Sequence, residues 1–254
     1  MSMEPSRLTD LRRLLSDWGG DGFLIPRTNA HQSEYVAPCD ERLRWLTGFT
    51  GSAGIAVALK DKAALFVDGR YTLQARNQID TNAYEICSLA DYPLWTWIKK
   101  HLMRGQKIYY DPWLHTLNEK LQAQKVCEAL GAFFVCAPQN LIDKLWQDRP
   151  SPPDSPVQIH DIAYAGVPSE EKRKLVAKTL SEKQVDGAIL STLESIAWLL
   201  NIRGKDIPNM PAPQGFAMIW ADTSMDLFMS LSKISSDVKT HLGARVRLHE
   251  TASL

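Results

Sequence analysis

The feature that most constrains this chain is an internal echo. "DGFLI" at 21–25 returns as "DGAIL" at 186–190. Each is entered from an amphipathic helix: "SRLTDLRRLLSDWG" before the first, with Leu8, Leu11, Leu15 and Trp18 recurring every three to four residues, and "SEEKRKLVAKTLSEKQ" before the second. "RWLTGF" is then answered by "AWLLNIRG", so that Trp45 and Trp198 hold matching places, and the apolar runs at 55–59 and 63–67 by "FAMIW" and "DLFMS". One shared strand would mean little. Helix, strand, Trp-bearing helix and strand pair in one order point to a duplicated α/β unit, with chance recurrence of common elements as the competing reading. After its strand pair the second copy has only "LSKISSDVKTHLGARVRLHETASL". The second domain therefore reads as truncated, with part of its sheet uncovered or an edge unpaired, unless this unit is genuinely shorter.

The first copy is longer. Gly19 and Gly20 stop the opening helix, and "GFLIP" is a short buried strand ending at Pro26. "DERLRWLTGF" follows as a short helix with Asp40 as its cap, then "AGIAVAL" and "KAALFVD" as strands of a hairpin around "KDK". Helix and strand patterns alternate from Arg70 to "FFVCA", which predicts an α/β domain with a mixed sheet flanked by helices. "DRPSPPDSP" then places four prolines in nine residues. Such a run continues neither a helix nor a central strand, so it divides the chain into domains 1–155 and 156–254, unless it is a surface loop within one domain.

With Lys plus Arg and Asp plus Glu both at 29, no net field draws the 254 residues toward nucleic acid or an anionic membrane. The longest apolar runs fall far short of the roughly 20 residues that cross a bilayer, and the N-terminus shows no apolar signal region. A cytoplasmic location is expected. Cys39, Cys87, Cys127 and Cys136 form no CxxC pair and read as free structural thiols.

"RWLTGFTGSAG" at 44–54 spaces Gly48, Gly51 and Gly54 by three. A phosphate loop follows a strand and opens a helix; here the order is reversed and the Walker lysine is absent, nor is there a GxGxxG. The segment is either a special turn with close backbone approach or part of a neighbouring site or interface. One hairpin away, "LFVDGRY" carries Asp68 as a potential helix cap with Arg70 and Tyr71 in the first turn, so these residues either cap and pair locally or contact a substrate or another domain. Arg42 and Arg44 point to different helix faces and read as solvent-facing. Trp95 and Trp97, without a basic stripe, read as packing residues. In the second copy, "NIRGKDIPNMP" brings Arg203, Lys205 and Asp206 into a polar loop, structural or on a substrate rim. His31, His101, His115, His160, His241 and His249 are scattered, and no HExxH or GxSxG is present. No nucleophile, base and electrophile assemble, so no catalytic residue and no metal ligand is assigned.

The strings "ERLRWLTGFTGSAG", "ALFVDGRYTLQA", "PLWTWI" and "SIAWLLNIRGKDIP" resemble, in order, the N-terminal, non-catalytic portion of the three-domain Xaa-Pro aminopeptidases, or aminopeptidase P, of the creatinase and prolidase superfamily. The resemblance implies two related creatinase-N-terminal-like α/β domains and a missing C-terminal pita-bread domain. That domain would hold two divalent metals, manganese by the family pattern, on two aspartates, a histidine and two glutamates. It also implies a homodimer acting on peptides with proline at the second position, and no cofactor bound by this chain. By the same resemblance Phe49, Arg70 and Tyr71 face the active-site entrance or a subunit contact, and Arg203 and Asp206 match the family's second-domain loop. "NMPAPQGFAM" departs from the run usual after that loop. Prolidase and creatinase, which usually carry one such N-terminal domain, are the nearest alternatives, and a stand-alone binding or assembly module is the alternative of another class.

Overall fold

A computed structural model describes residues 6–254; the first five positions of the expected 1–155 domain lie outside the described residues. The chain divides into two compact units, one of residues up to Glu34 with Pro38–Pro150, the other of Tyr35–Ala37 with Ser151–Leu254.

The first unit begins with α1, Arg7–Asp17, whose N-cap Ser6 accepts the amide of Thr9 and whose Leu8, Leu11 and Leu15 form the buried stripe. Then follow β1 (Gly22–Pro26), α2 (Arg42–Thr47), β2 (Gly54–Leu59), β3 (Ala63–Val67), α3 (Thr72–Gln78) and β4 (Glu85–Ser88). The unit ends with α4 (Leu94–His101), β5 (Lys107–Tyr110), α5 (Leu117–Ala129), β6 (Phe133–Cys136) and α6 (Leu141–Leu145). Its six strands lie in the order β4-β3-β2-β1-β5-β6. β2 pairs antiparallel with β1 and β3, as the hairpin around "KDK" requires, while β3/β4, β1/β5 and β5/β6 are parallel. The sheet is mixed, as expected.

Alternation along the strands loads both faces. One face presents Phe23, Ile25, Ala56, Leu65 and Val67 to Leu11 and Leu15 of α1, Leu43 of α2 and Leu141 of α6. The other presents Leu24, Val57, Leu59, Phe66 and Ile108 to Trp97 and Ile98 of α4 and Cys127 of α5. Trp97 is fully buried, meets Phe66 edge-on at 6.1 Å and donates Nε1 to Glu85 at 2.7 Å. All four cysteines are free; burial pushes the Cys87 thiol up to about 12 and the Cys127 thiol up to about 11.

Two local expectations change. Asp40 does not cap α2: it ends a 3-10 turn, Pro38–Asp40, the cap position is Glu41, and the Asp40 carboxylate instead accepts Arg42 Nη1 at 3.0 Å. Arg42 does not face solvent, because Asp143 and Asp40 compensate its charge in the interior, whereas Arg44 is exposed.

The second unit contains β7 (Gln158–Ile159), α7 (Ile162–Ala165), α8 (Ser169–Glu182), β8 (Gly187–Leu190), α9 (Leu193–Leu200) and β9 (Ile202–Arg203). It continues with β10 (Phe216–Trp220), β11 (Met225–Phe228), α10 (Ser236–Leu242) and β12 (Val246–His249). β7 and β9 form a two-stranded antiparallel ribbon. The main sheet runs β12-β11-β10-β8, with β10 antiparallel to both neighbours and β11/β12 parallel. Order and directions repeat β4-β3-β2-β1, so the echo in sequence is an echo in topology. Among the described residues no helix is long and apolar enough to cross a membrane.

Candidate functional site

The glycine-rich corner links α2 to β2. Gly48 closes the helix in the left-handed region, φ 81°, and donates its amide to Arg44 O at 2.8 Å. Only this glycine of the three has a positive φ. A valine there is expected to cost the first unit about 1–2 kcal/mol, read as a lower urea midpoint at unchanged slope; Gln78 O, 3.2 Å from where a Cβ would sit, adds crowding. Gly51 and Gly54 serve a different purpose, close approach. A Cβ on Gly51 would stand 2.2 Å from Phe49 Cζ, and one on Gly54 would stand 3.1 Å from Phe66 O and 3.2 Å from Phe49 Cε1. The corner is folded over the Phe49 ring, which is 0% exposed. Thr47 Oγ1 donates to Leu43 O at 2.7 Å and accepts the Phe49 amide at 3.1 Å, which aims that ring inward.

The outer side of the corner is polar. Thr50 is held by Gln74 and Gln78 of α3, which donate to its Oγ1 at 2.9 and 2.8 Å. Ser52 Oγ donates to Glu34 Oε1 at 3.0 Å and lies 2.8 Å from Tyr71 Oη. A hydroxyl has one proton and an ionised carboxylate only accepts, so with Ser52 committed to Glu34 the Tyr71 hydroxyl donates to Ser52. The Tyr71 ring packs edge-on against Phe49 at 5.7 Å, and the Arg70 guanidinium sits 5.1 Å from its centroid. Asp68 caps the turn by accepting the Arg70 amide at 2.9 Å and pairs with the guanidinium at 2.6 Å. That hydrogen bond holds the Asp68 carboxyl below, and the Arg70 guanidinium above, their usual ranges.

Phe49, Arg70 and Tyr71 are thus brought together: a buried plug, a half-buried ring and an exposed cation. Glu34 and Ser52 complete the group; neither carries a signal of its own in the sequence, Glu34 lying in the polar string "HQSEY" and Ser52 within the glycine-rich segment. With both hydroxyl protons committed, the arrangement presents the exposed Arg70 guanidinium beside hydroxyl oxygens that can still accept. It holds no activated nucleophile.

Arg203 and Asp206 take other positions within the second unit. Arg203 Nη1 donates to the carbonyl of its β9 neighbour Ile202 at 2.8 Å and to Ala197 O in the last turn of α9 at 3.4 Å. The Asp206 side chain is 0% exposed; Oδ2 accepts the Gln214 amide at 2.6 Å and Lys233 Nζ, while Oδ1 is buried without a partner. Just ahead of Arg203 in sequence, Asn201 Oδ1 and Trp198 O accept Nζ of the distant Lys172 at 2.6 and 2.9 Å, and burial lowers the pKa of that lysine.

A cleft of ≈ 390 Å³ in the first unit lies beyond the carboxyl ends of β5 and β6, where open α/β sheets commonly bind ligands. Its charged groups already have partners: Arg42 forks onto Asp143 at 2.6 and 3.0 Å, and Asp111 accepts the Asn140 amide Nδ2 at 2.8 Å. Among the described residues, no group of three or more His, Cys, Asp or Glu is placed to hold a metal ion.

The duplicated α/β unit, with its glycine corner and no assembled catalytic group, matches one family twice. The creatinase/prolidase N-terminal domain is found over residues 7–143 and again, in a second form, over 148–254, and the chain belongs to that family. More particularly, it corresponds to the N-terminal region of larger enzymes of the Xaa-Pro aminopeptidase P family. It is 39% identical to a "Probable Xaa-Pro aminopeptidase P" of Paracoccidioides lutzii, over 98% of this chain and 41% of the relative. With the Aspergillus niger counterpart it shares 39% identity over 94% of this chain and 39% of the relative. The X-prolyl aminopeptidase of Caenorhabditis elegans, described as a cytosolic enzyme with a di-nuclear active site, superposes with a TM-score of 0.92 at 31% identity, over 97% of this chain and 42% of that one. The chain therefore spans about two fifths of the length of the relatives it matches.

Proposed function

We propose that this chain is the non-catalytic N-terminal region of a cytoplasmic Xaa-Pro aminopeptidase, organised as domains 1–155 and 156–254, which shapes substrate access and assembly. The intact enzyme cleaves the bond between an N-terminal residue and a following proline, and it works as a homodimer. The observation that carries this reading is the alignment of 98% of the chain with only 41% of its P. lutzii relative.

Two divalent metals, manganese by family resemblance, belong to the catalytic part of the enzyme. The residues described here do not fit such a centre. No ligand group converges, and the carboxylates of the partly exposed Asp143 and the fully buried Asp206 are already paired with arginine and lysine. The hydrolytic step is accordingly not assigned to any group of this chain. Its own residues act by position: Arg70 and Tyr71 at the rim of the corner, Phe49 beneath them, and Arg203 and Asp206 in fixing the shape of the second-unit loop.

The purified 254-residue chain is expected to show no turnover of an Xaa-Pro peptide with added manganese, whereas the full product of the same reading frame turns it over and loses that activity on chelation. Metal-dependent cleavage by the 254-residue chain itself would overturn the non-catalytic assignment. A full product that binds peptides without cleaving them would favour the stand-alone module.

A further inference from the structure

The two copies of the unit enter the last strand of their shared topology differently. Between α3 and β4 the first unit spends six residues, 79–84, and buries Ile79 and Tyr84 in its core. Between α10 and β12 the second spends three, 243–245. Beside this shorter connection a groove of ≈ 730 Å³ opens between α10 and β12. Leu231, Ile234, Val246 and Leu248 give it apolar walls, and the turn lines it with Gly243 and Ala244. Its charged lining is basic only, Lys239 of α10 and Arg247 of β12. An apolar trough of this size with a few polar groups is of the kind that takes a ligand.

β12 is also an outer strand of its sheet, paired with β11 alone. The carbonyls of Arg245 and His249 accept the amides of Met225 and Met229, at 2.9 and 3.1 Å. In a parallel pair the ladder falls on alternate residues, so Val246 and Leu248 turn their backbone groups the other way, toward the open edge. The Val246 amide is taken by Gly243 O at 3.2 Å. That leaves the Val246 carbonyl and both backbone groups of Leu248 along the groove. A strand edge beside a helix, with such groups unpaired, is the seat that a β-augmenting peptide uses. The side chains alternate too, Val246 and Leu248 on one face and Arg247 on the other. Arg247 spends Nε and Nη2 on Asp226 at 2.7 and 2.6 Å, and its side chain is half exposed, so Nη1 is available to a further acceptor. Lys239 is exposed and enters none of the ion pairs of the described residues.

We infer that the groove between α10 and the free edge of β12 binds an extended segment of a partner polypeptide in which acidic and apolar residues alternate. The segment adds a strand to β12 through the Val246 carbonyl and the Leu248 N–H and C=O. Its apolar side chains cover Leu231, Ile234, Val246 and Leu248. The acidic residue opposite Arg247 accepts Nη1 across the strand pair, and a neighbouring carboxylate meets Lys239. Charge selects the occupant: with two cations and no carboxylate in the lining, a basic strand of the same shape is refused.

Titration of a fluorescein-labelled Ser-Glu-Val-Glu-Val-Glu-Ser peptide with the 254-residue chain, read by anisotropy, tests the site, and hydrogen–deuterium exchange locates it. The peptide is expected to bind, and its counterpart with lysine for glutamate is not. Binding protects the Leu248 amide and leaves the Arg247 amide, already held by β11, unchanged. Lys239→Glu keeps the melting temperature and weakens binding about tenfold, whereas Lys178→Glu, at an exposed position of α8, leaves it unchanged. Methylating alternate peptide nitrogens weakens binding about tenfold in one register, through a lost edge hydrogen bond, and is tolerated in the other. Failure of the acidic peptide to bind, equal binding of the basic one, protection of the β8 edge at Gly187–Leu190 in place of Leu248, or an equal loss with Lys178→Glu would overturn the proposal. So would a Leu248 amide protected without peptide, in the monomer or on dimerisation. A product extended along the same reading frame that protects Leu248 by itself and no longer takes the peptide would assign the groove to its own continuing chain. That outcome removes the partner and leaves the aminopeptidase reading standing.

Discussion

Lys233→Met is expected to destabilise the second unit by about 3–5 kcal/mol, the cost of leaving a buried charge without its partner. The Asp206 and Lys233 side chains are 0% and 2% exposed, so water cannot replace the lost ammonium. Asp206 has little else to draw on: one backbone amide from Gln214 on Oδ2, and nothing on Oδ1. The loop that turns back from Gly204 to Gln214 is anchored by the same carboxylate, so the variant is expected to loosen this loop before the sheet opens. Replacing the pair together, Asp206→Leu with Lys233→Met, should recover most of the loss, because a buried ion pair exchanged for apolar groups of similar volume is often close to neutral. Urea unfolding of the two single variants and the double variant measures the coupling directly. A loss below about 1 kcal/mol for Lys233→Met would mean that hydrophobic packing, and not the ion pair, holds the loop.

Phe49→Ala is expected to cost the first unit about 3–5 kcal/mol, as for other fully buried aromatics. It should also reverse the effect of a second substitution. Gly51→Ala alone is expected to cost about 1–3 kcal/mol, since its Cβ would fall on the ring at 2.2 Å from Cζ. With the ring removed that collision disappears, and because Gly51 does not hold a positive φ, alanine there becomes neutral or slightly stabilising through the unfolded state. Thermal and urea unfolding of the four proteins reads the change of sign. An equal penalty for Gly51→Ala with and without Phe49 would show that the glycine answers to something other than this contact.

The elements of the first unit and the repeat of its opening in the second were legible because both rest on local pattern. Leu8, Leu11 and Leu15 recur at helical spacing, "GFLIP" alternates between two cores, and a short turn joins β2 to β3. The nearness of Phe49 to Tyr71 was also legible, since a single hairpin separates them. What escaped was the pairing of charged and hydroxyl groups. Nothing near Arg42 announces Asp143, 101 residues away, and so the arginine read as solvent-facing. Asp206 read equally well as a rim residue or a loop residue, because the lysine that accompanies it inward lies 27 residues on. Ser52 meets Glu34 and Tyr71 through the fold of the corner over Phe49. Hydrophobic periodicity reports which side of an element is buried, but carries no record of which cation will follow a carboxylate inside. β7 and β9, two residues each, are too short to impose any period.

The position of β5 beside β1 also bears on how the chain is made. Asp21 and Lys107, whose contact begins that pairing, are 86 residues apart, whereas β2 and β3 adjoin through a short turn. At the usual translation rate of about 5–20 residues per second, β1 would wait roughly 4–17 s after its synthesis for the neighbour on its second side. By the end of that interval the nascent first unit holds only the β4-β3-β2-β1 part of its sheet, four of its six strands and the same arrangement as the second unit. Its exposed Leu24 and Val57 would make this the stage at which ribosome-associated chaperones have most to cover, and a synonymous slow codon run between β4 and β5 would lengthen that exposure without changing a single residue.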